Sequence, residues 1–148
     1  NTTAYTPAAS LIIGLREVLK MMKAEGFPNI FKKNERMARA TRKAMTSLGL
    51  NLLAPEAPAE CATGVFTPEG VDGGKLLKSL RDDFGVTLAG GQDHLKGKIL
   101  RIAHMGYMDT FDIITAVASI EMGLKKFGHK LEFGKGVAAA QEILLEGY

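Results

Sequence analysis

Residues 90–109, GGQDHLKGKILRIAHMGYMD, hold the side chains best able to do chemistry: Arg101 inside an apolar run, His94 in the loop before it and His104 just after it. A guanidinium is planar and permanently charged, and its fork matches a carboxylate through two parallel, charge-assisted hydrogen bonds. If residues 99–105 form a strand, alternation puts Ile99, Arg101 and Ala103 on one face and Leu100, Ile102 and His104 on the other. Arg101 then has two readings. It sits on a solvent-facing side of an antiparallel sheet, or it is a carboxylate clamp held more rigidly than a loop could hold it.

Other candidates carry less. The segment GGQDHLKGK suggests a phosphate loop, but the spacing from Gly91 to Gly97 is wrong and Ile99 follows Lys98 where a hydroxyl is needed. His94 and His104 lack a second histidine or a carboxylate at ligand spacing, so no metal site is expected and His104 reads as a packed or hydrogen-bonded histidine. Cys61 is the only cysteine, which excludes an internal disulfide framework and a thiolate cluster. With no base near it in sequence it reads as a structural thiol, and a reducing, cytoplasmic setting fits. Thr2, Thr3, Tyr5 and Thr6 form a hydroxyl-rich approach to the first helix, suited to phosphate or to simple capping.

The elements around these residues can be read from pattern. At 148 residues, 46% hydrophobic and 24% charged, the chain (1–148) reads as one globular domain with room for a real core. The net charge of +3 lacks a basic stripe with interleaved aromatics, so it reads as surface solvation and not as a nucleic-acid footprint. Arg16, Lys20, Lys23 and Glu121 interrupt the longest apolar stretches, and no span, secretory or transit signal is read. The opening at Asn1 in place of methionine points to processing or truncation.

Leu11, Leu15, Val18 and Met22 recur at helical spacing before the stop at Gly26 and Pro28. A second helix, 28–48, carries Ile30, Met37, Thr41 and Met45 on one side and Lys32, Lys33, Arg36, Arg39 and Lys43 on a solvated side. Short strands are expected near 50–53 and 62–67, a third helix over 74–84, and strands over 86–89 and 99–105. Asp109, with Asp112 in the first turn, caps a fourth helix whose buried stripe is Ile113, Val117, Ile120 and Leu124. A last helix covers 136–146. Segregated helices and strands predict an α+β fold, with about four mainly antiparallel strands and helices on one face.

Three segments in this order and separation, AYTPAASLIIGLREVLKMMKAEG, TRKAMTSLGLNLLA and GVTLAGGQDHLKGKILRIAHMGYMD, resemble the C-terminal small domain of class V aminotransferases. These are the pyridoxal-phosphate enzymes that include serine–pyruvate and alanine–glyoxylate aminotransferases. The likeness covers about 3–127, with 128–148 as a C-terminal extension. It implies fold type I, a homodimer, and a large domain upstream of Asn1 that carries the cofactor lysine. It also implies that Arg101 binds the substrate carboxylate and that Thr6 reaches the cofactor phosphate of the neighbouring subunit. Two departures stand out: Thr2 or Thr3 where some relatives place a tyrosine, and Lys33 and Asn34 where many show an Arg-His pair.

The resemblance implies a parent enzyme that moves an amino group between serine or alanine and glyoxylate or pyruvate, with this 148-residue chain inactive alone. Two alternatives are a non-catalytic module that binds small carboxylates, such as an accessory subunit of a complex labelled soluble hydrogenase, and a cysteine desulfurase relative. A lone cysteine argues against hydrogenase chemistry in this stretch, and Cys61 ahead of a probable strand does not suit a mobile catalytic loop.

Overall fold

The computed structural model describes residues 4–147, so Thr2 and Thr3 lie outside the described residues. Helix α1 spans Ala9–Glu25 and α2 spans Phe27–Ser47, separated by Gly26 at φ 86°. That left-handed backbone, with Pro28 next but one, is what stops the first helix. The chain divides into two compact units, one ending at Lys33 and one beginning at Asn34.

The first unit holds α1 and the first turns of α2. No residue of α1 is buried, and Leu11 and Leu15 are 73% and 58% exposed. Its apolar stripe therefore has the periodicity of a packing face without a covered surface.

The second unit carries the core. Met37, Thr41 and Met45 of α2 are buried as their spacing predicts, and Thr41 satisfies its hydroxyl by donating to the Met37 carbonyl at 2.9 Å. Helix α3 (Gly73–Phe84) starts at Asp72, whose carboxylate accepts from the Gly74 and Lys75 N–H groups. Those two hydrogen bonds hold the Asp72 carboxyl below its usual range, the Lys75 N–H contributing most. Helix α4 (Thr110–Lys126) begins with a reciprocal cap: Asp109 accepts from the Phe111 and Asp112 N–H groups, and Asp112 accepts from the Asp109 N–H. Ile113, Val117, Ile120 and Leu124 are fully buried along it. Helix α5 (Lys135–Leu144) ends in a 3-10 turn, Leu145–Gly147.

Among the described residues the sheet has three strands, β1 (Ala62–Phe66), β2 (Ala89–Gly90) and β3 (Ile99–Ala103), in the order β1-β3-β2 with both pairs antiparallel. The expected count of about four is approximate. Residues 50–53 contribute one bridge, Leu52 to Val65, because the chain runs at once into the Pro55 and Pro58 loop, where proline nitrogens cannot donate to a ladder. The strand expected over 86–89 shortens to Ala89–Gly90 for a different reason. The Gly85 and Val86 N–H groups turn back to the Arg81 and Leu80 carbonyls and close α3, with Gly85 at φ 71°. Within the second unit, α2 from Met37 onward, α3, α4 and α5 pack on the sheet face that carries Val65, Leu100 and Ile102, the α+β arrangement expected.

Glu121 does more than interrupt an apolar run. It is 3% exposed, and its carboxylate accepts from the N–H groups of Gly134 at 2.7 Å, Gly136 at 2.8 Å and Val137 at 3.2 Å. A buried charge from α4 thus caps α5, whose N-cap residue Gly134 has no side chain to do so. Gly136 is required here, since a Cβ would lie 2.9 Å from that carboxylate and 3.0 Å from Leu48. Replacing Glu121 with glutamine turns one acceptor into a donor facing a buried N–H. We expect a loss of about 1–3 kcal/mol in urea unfolding, with hydrogen exchange accelerating first over residues 134–147; unchanged protection there would refute the cap.

Candidate functional site

Arg101 sits at the centre of β3, facing away from the helices. Its neighbours in register are Gly64 on β1 and Ala89 on β2, with Ala103 next on its own face. Three of its four nearest same-face positions, Gly64, Ala89 and Ala103, are small, and the fourth is Ile99. Gly64 is needed here: a Cβ there would approach the Leu53 side chain to 3.0 Å. The glycine pair before the loop has a similar cause, because a Cβ on Gly91 would come within 2.1 Å of the Leu95 carbonyl oxygen in the 3-10 turn Asp93–Leu95.

The Arg101 Nε donates to the Gly90 carbonyl at 2.8 Å, which fixes the plane of the guanidinium. Among the described residues no carboxylate pairs with it, and its two terminal nitrogens keep their donors. It opens into a cavity of about 240 Å³, lined also by Gly64, Leu53, Ala57 and Pro58, and by Arg42 of α2. Arg42 is already engaged: its terminal nitrogens lie 3.2 and 3.3 Å from the Glu60 carboxylate.

His94 and Cys61 do not line this cavity. His94 lies exposed on the 3-10 turn and Cys61 is a free, exposed thiol. Thr6 is exposed ahead of α1, in the first unit. Among the described residues no group of three or more His, Cys, Asp and Glu side chains is placed to hold a metal ion, and no helix is long and apolar enough to cross a membrane. Arg42 and Glu60 are the residues that sequence reasoning missed. They pair across 18 positions between a helix and a loop, a separation for which no periodic pattern gives a signal.

His104 is fully buried on the core face, as its alternation predicts, with Nδ1 3.4 Å from the Glu60 carbonyl oxygen and Nε2 without a partner. Burial pushes its pKa below the usual 6.5, more than the Glu60 carbonyl raises it. The folded state therefore resists a proton that the unfolded chain accepts. Its contribution is intact above about pH 6.5 and is lost as pH falls from there towards the depressed folded pKa. We expect urea stability to fall between pH 7 and pH 5.5, and part of that slope to vanish in His104→Gln; identical slopes would show that His104 does not titrate with folding.

No family profile matches the chain. Among its relatives, it is 43% identical over 148 residues to the soluble hydrogenase 42 kDa subunit of Anabaena cylindrica, covering 97% of this chain and 38% of that protein. It is 36% identical over 144 residues to serine–glyoxylate aminotransferase of Methylorubrum extorquens, covering 96% of this chain and 36% of that protein. Of the solved structures, pyridoxamine–pyruvate aminotransferase from Mesorhizobium loti matches 100% of this chain and 38% of its own with a TM-score of 0.93 at 29% identity. The chain is a homologue of the class V aminotransferases. It spans little more than a third of the length of the relatives it matches, a share consistent with their C-terminal small domain.

Proposed function

We propose that this chain is the small domain of a pyridoxal-phosphate-dependent aminotransferase, and that Arg101 binds the α-carboxylate of its substrates. The observation that carries this reading is the half-used guanidinium. One edge is tied to a backbone carbonyl and so oriented, while the terminal edge faces a cavity with no acidic residue paired to it among the described residues. An exposed arginine on a merely solvated face needs no such anchor.

The transfer runs between a small amino acid, serine or alanine, and a 2-oxo acid, glyoxylate or pyruvate. Both carry a carboxylate beside the reacting carbon. Gripping that group in two parallel hydrogen bonds fixes its plane and limits rotation about the adjoining bond, which aims the α-hydrogen and converts binding energy into orientation. Pyridoxal phosphate, held by a lysine outside this chain, supplies the electron sink.

The residues of the first unit fit a phosphate contact. Ala8, the N-cap of α1, makes no side-chain hydrogen bond to the first turn, where the Ala9 N–H donates to the Pro7 carbonyl at 2.8 Å and the next two N–H groups have no side-chain cap. A hydroxyl beside uncapped N–H donors suits an anion. On this reading Thr6 serves the cofactor of a neighbouring subunit, the working form is a cytoplasmic homodimer, and the 148-residue chain alone is inactive.

The accessory-subunit reading, which the hydrogenase names of two relatives suggest, is not favoured beside the aminotransferase names of the other relatives and of the solved structures, and the single cysteine argues against hydrogenase chemistry in this stretch. In the longer protein, Arg101→Leu is expected to raise the Michaelis constant for the amino acid by roughly 10- to 100-fold while the cofactor absorbance persists. Unchanged kinetics would overturn the role of Arg101. Loss of the cofactor band would show that the residue holds the domain together instead.

A further inference from the structure

Two arginines line the cavity, and the chain treats them differently. Arg101 has no acidic partner among the described residues. The Arg42 side chain is only 16% exposed, and its fork is filled by Glu60: Nη1 donates to Oε2 at 3.3 Å, and Nη2 to Oε1 and Oε2 at 3.2 and 3.3 Å. A substrate carboxylate would occupy a guanidinium in the same way. Arg42 Nη1 also reaches the Ala59 carbonyl at 3.5 Å, so the loop that walls the cavity hangs on this side chain.

We propose that Glu60 masks Arg42 and thereby keeps the cavity a site for one carboxylate, selecting monocarboxylates over dicarboxylates. The proposal rests on the reading of Arg101 as the carboxylate ligand. Charge counting gives the reason. Arg101, Arg42 and Glu60 sum to a single positive charge, which one carboxylate neutralises. A second carboxylate must displace Glu60 from Arg42 or remain unpaired against Leu53, Ala54, Ala57 and Pro58, and both are costly. Rejection through an occupied cation needs no steric block and leaves the cavity shape intact, a case of selectivity by penalty on the wrong ligand.

Glu60→Gln retains the shape and an acceptor for Arg42 but removes the masking charge. The test measures propionate and succinate as inhibitors competing with the amino acid in the longer protein, with the cofactor absorbance as the check on folding. In Glu60→Gln the affinity ratio of succinate to propionate should rise about tenfold, and Arg42→Met in that background should cancel the gain. A ratio unchanged within about twofold, or a gain that survives Arg42→Met, would overturn the mask. Arg101→Leu separates the two readings. If propionate still binds that variant as it binds the original protein, the role of Arg101 fails while the ratio continues to judge Glu60. Binding of neither probe to the original protein or to Glu60→Gln overturns both.

Discussion

Alternation along β3 is the constraint on which the rest depends. Leu100, Ile102 and His104 must point into the helices, because with Val65 they form the sheet's share of the core under Leu76, Leu80, Ile113, Val117 and Ile120. A strand with one face committed in this way cannot place Arg101 anywhere but on the other. A slip of one residue would bury a guanidinium and expose three core side chains, so the same packing that stabilises the sheet fixes the charge in register opposite Gly64 and Ala89. Position and rigidity of the site are by-products of core burial.

Several carboxylates of the second unit are spent on structure. Asp72 and Asp109 cap helices at the surface, Glu121 caps one in the interior, and Glu60 closes a loop onto α2 through Arg42. Glu146 forks onto Arg39 in the same way, at 2.9 and 3.2 Å. Against this background Arg101 stands out as an anchored cation whose terminal donors face a cavity in place of a carboxylate. Among the described residues three buried side-chain polar atoms also lack partners, Arg36 Nε, Thr63 Oγ1 and His104 Nε2, and each is screened from solvent.

Much of this fold was legible because its signals are local. The positive-φ glycines at 26 and 85, the Asp109 and Asp112 pair, and the 3.6-residue stripe of α4 each specify an element within a few residues. The errors arose where a distant or competing bond decided. Residues 86–88 have a β-like composition, yet helix closure captures the Val86 N–H. Residues 50–53 are apolar enough for a strand, yet the proline loop halts the ladder after one bridge. Glu121 looked like an interruption because its partners lie 13 to 16 residues away, on the backbone of a helix whose need for a cap leaves no mark in the sequence. For the site, the alternation around Arg101 was readable. Its anchor on Gly90 and the masking of Arg42 by Glu60 were not, since both depend on side-chain geometry across the sheet edge and the α2 surface.

Gripping the substrate carboxylate for a pyridoxal-phosphate enzyme is the role proposed for this stretch. The intact mass of the protein from its natural source, taken under denaturing conditions before and after borohydride reduction, tests it most directly, because reduction locks a lysine-bound pyridoxal cofactor into a stable adduct. The expected result is a mass well above 15.9 kDa that retains a pyridoxyl adduct. A mass near 15.9 kDa with no adduct would contradict it.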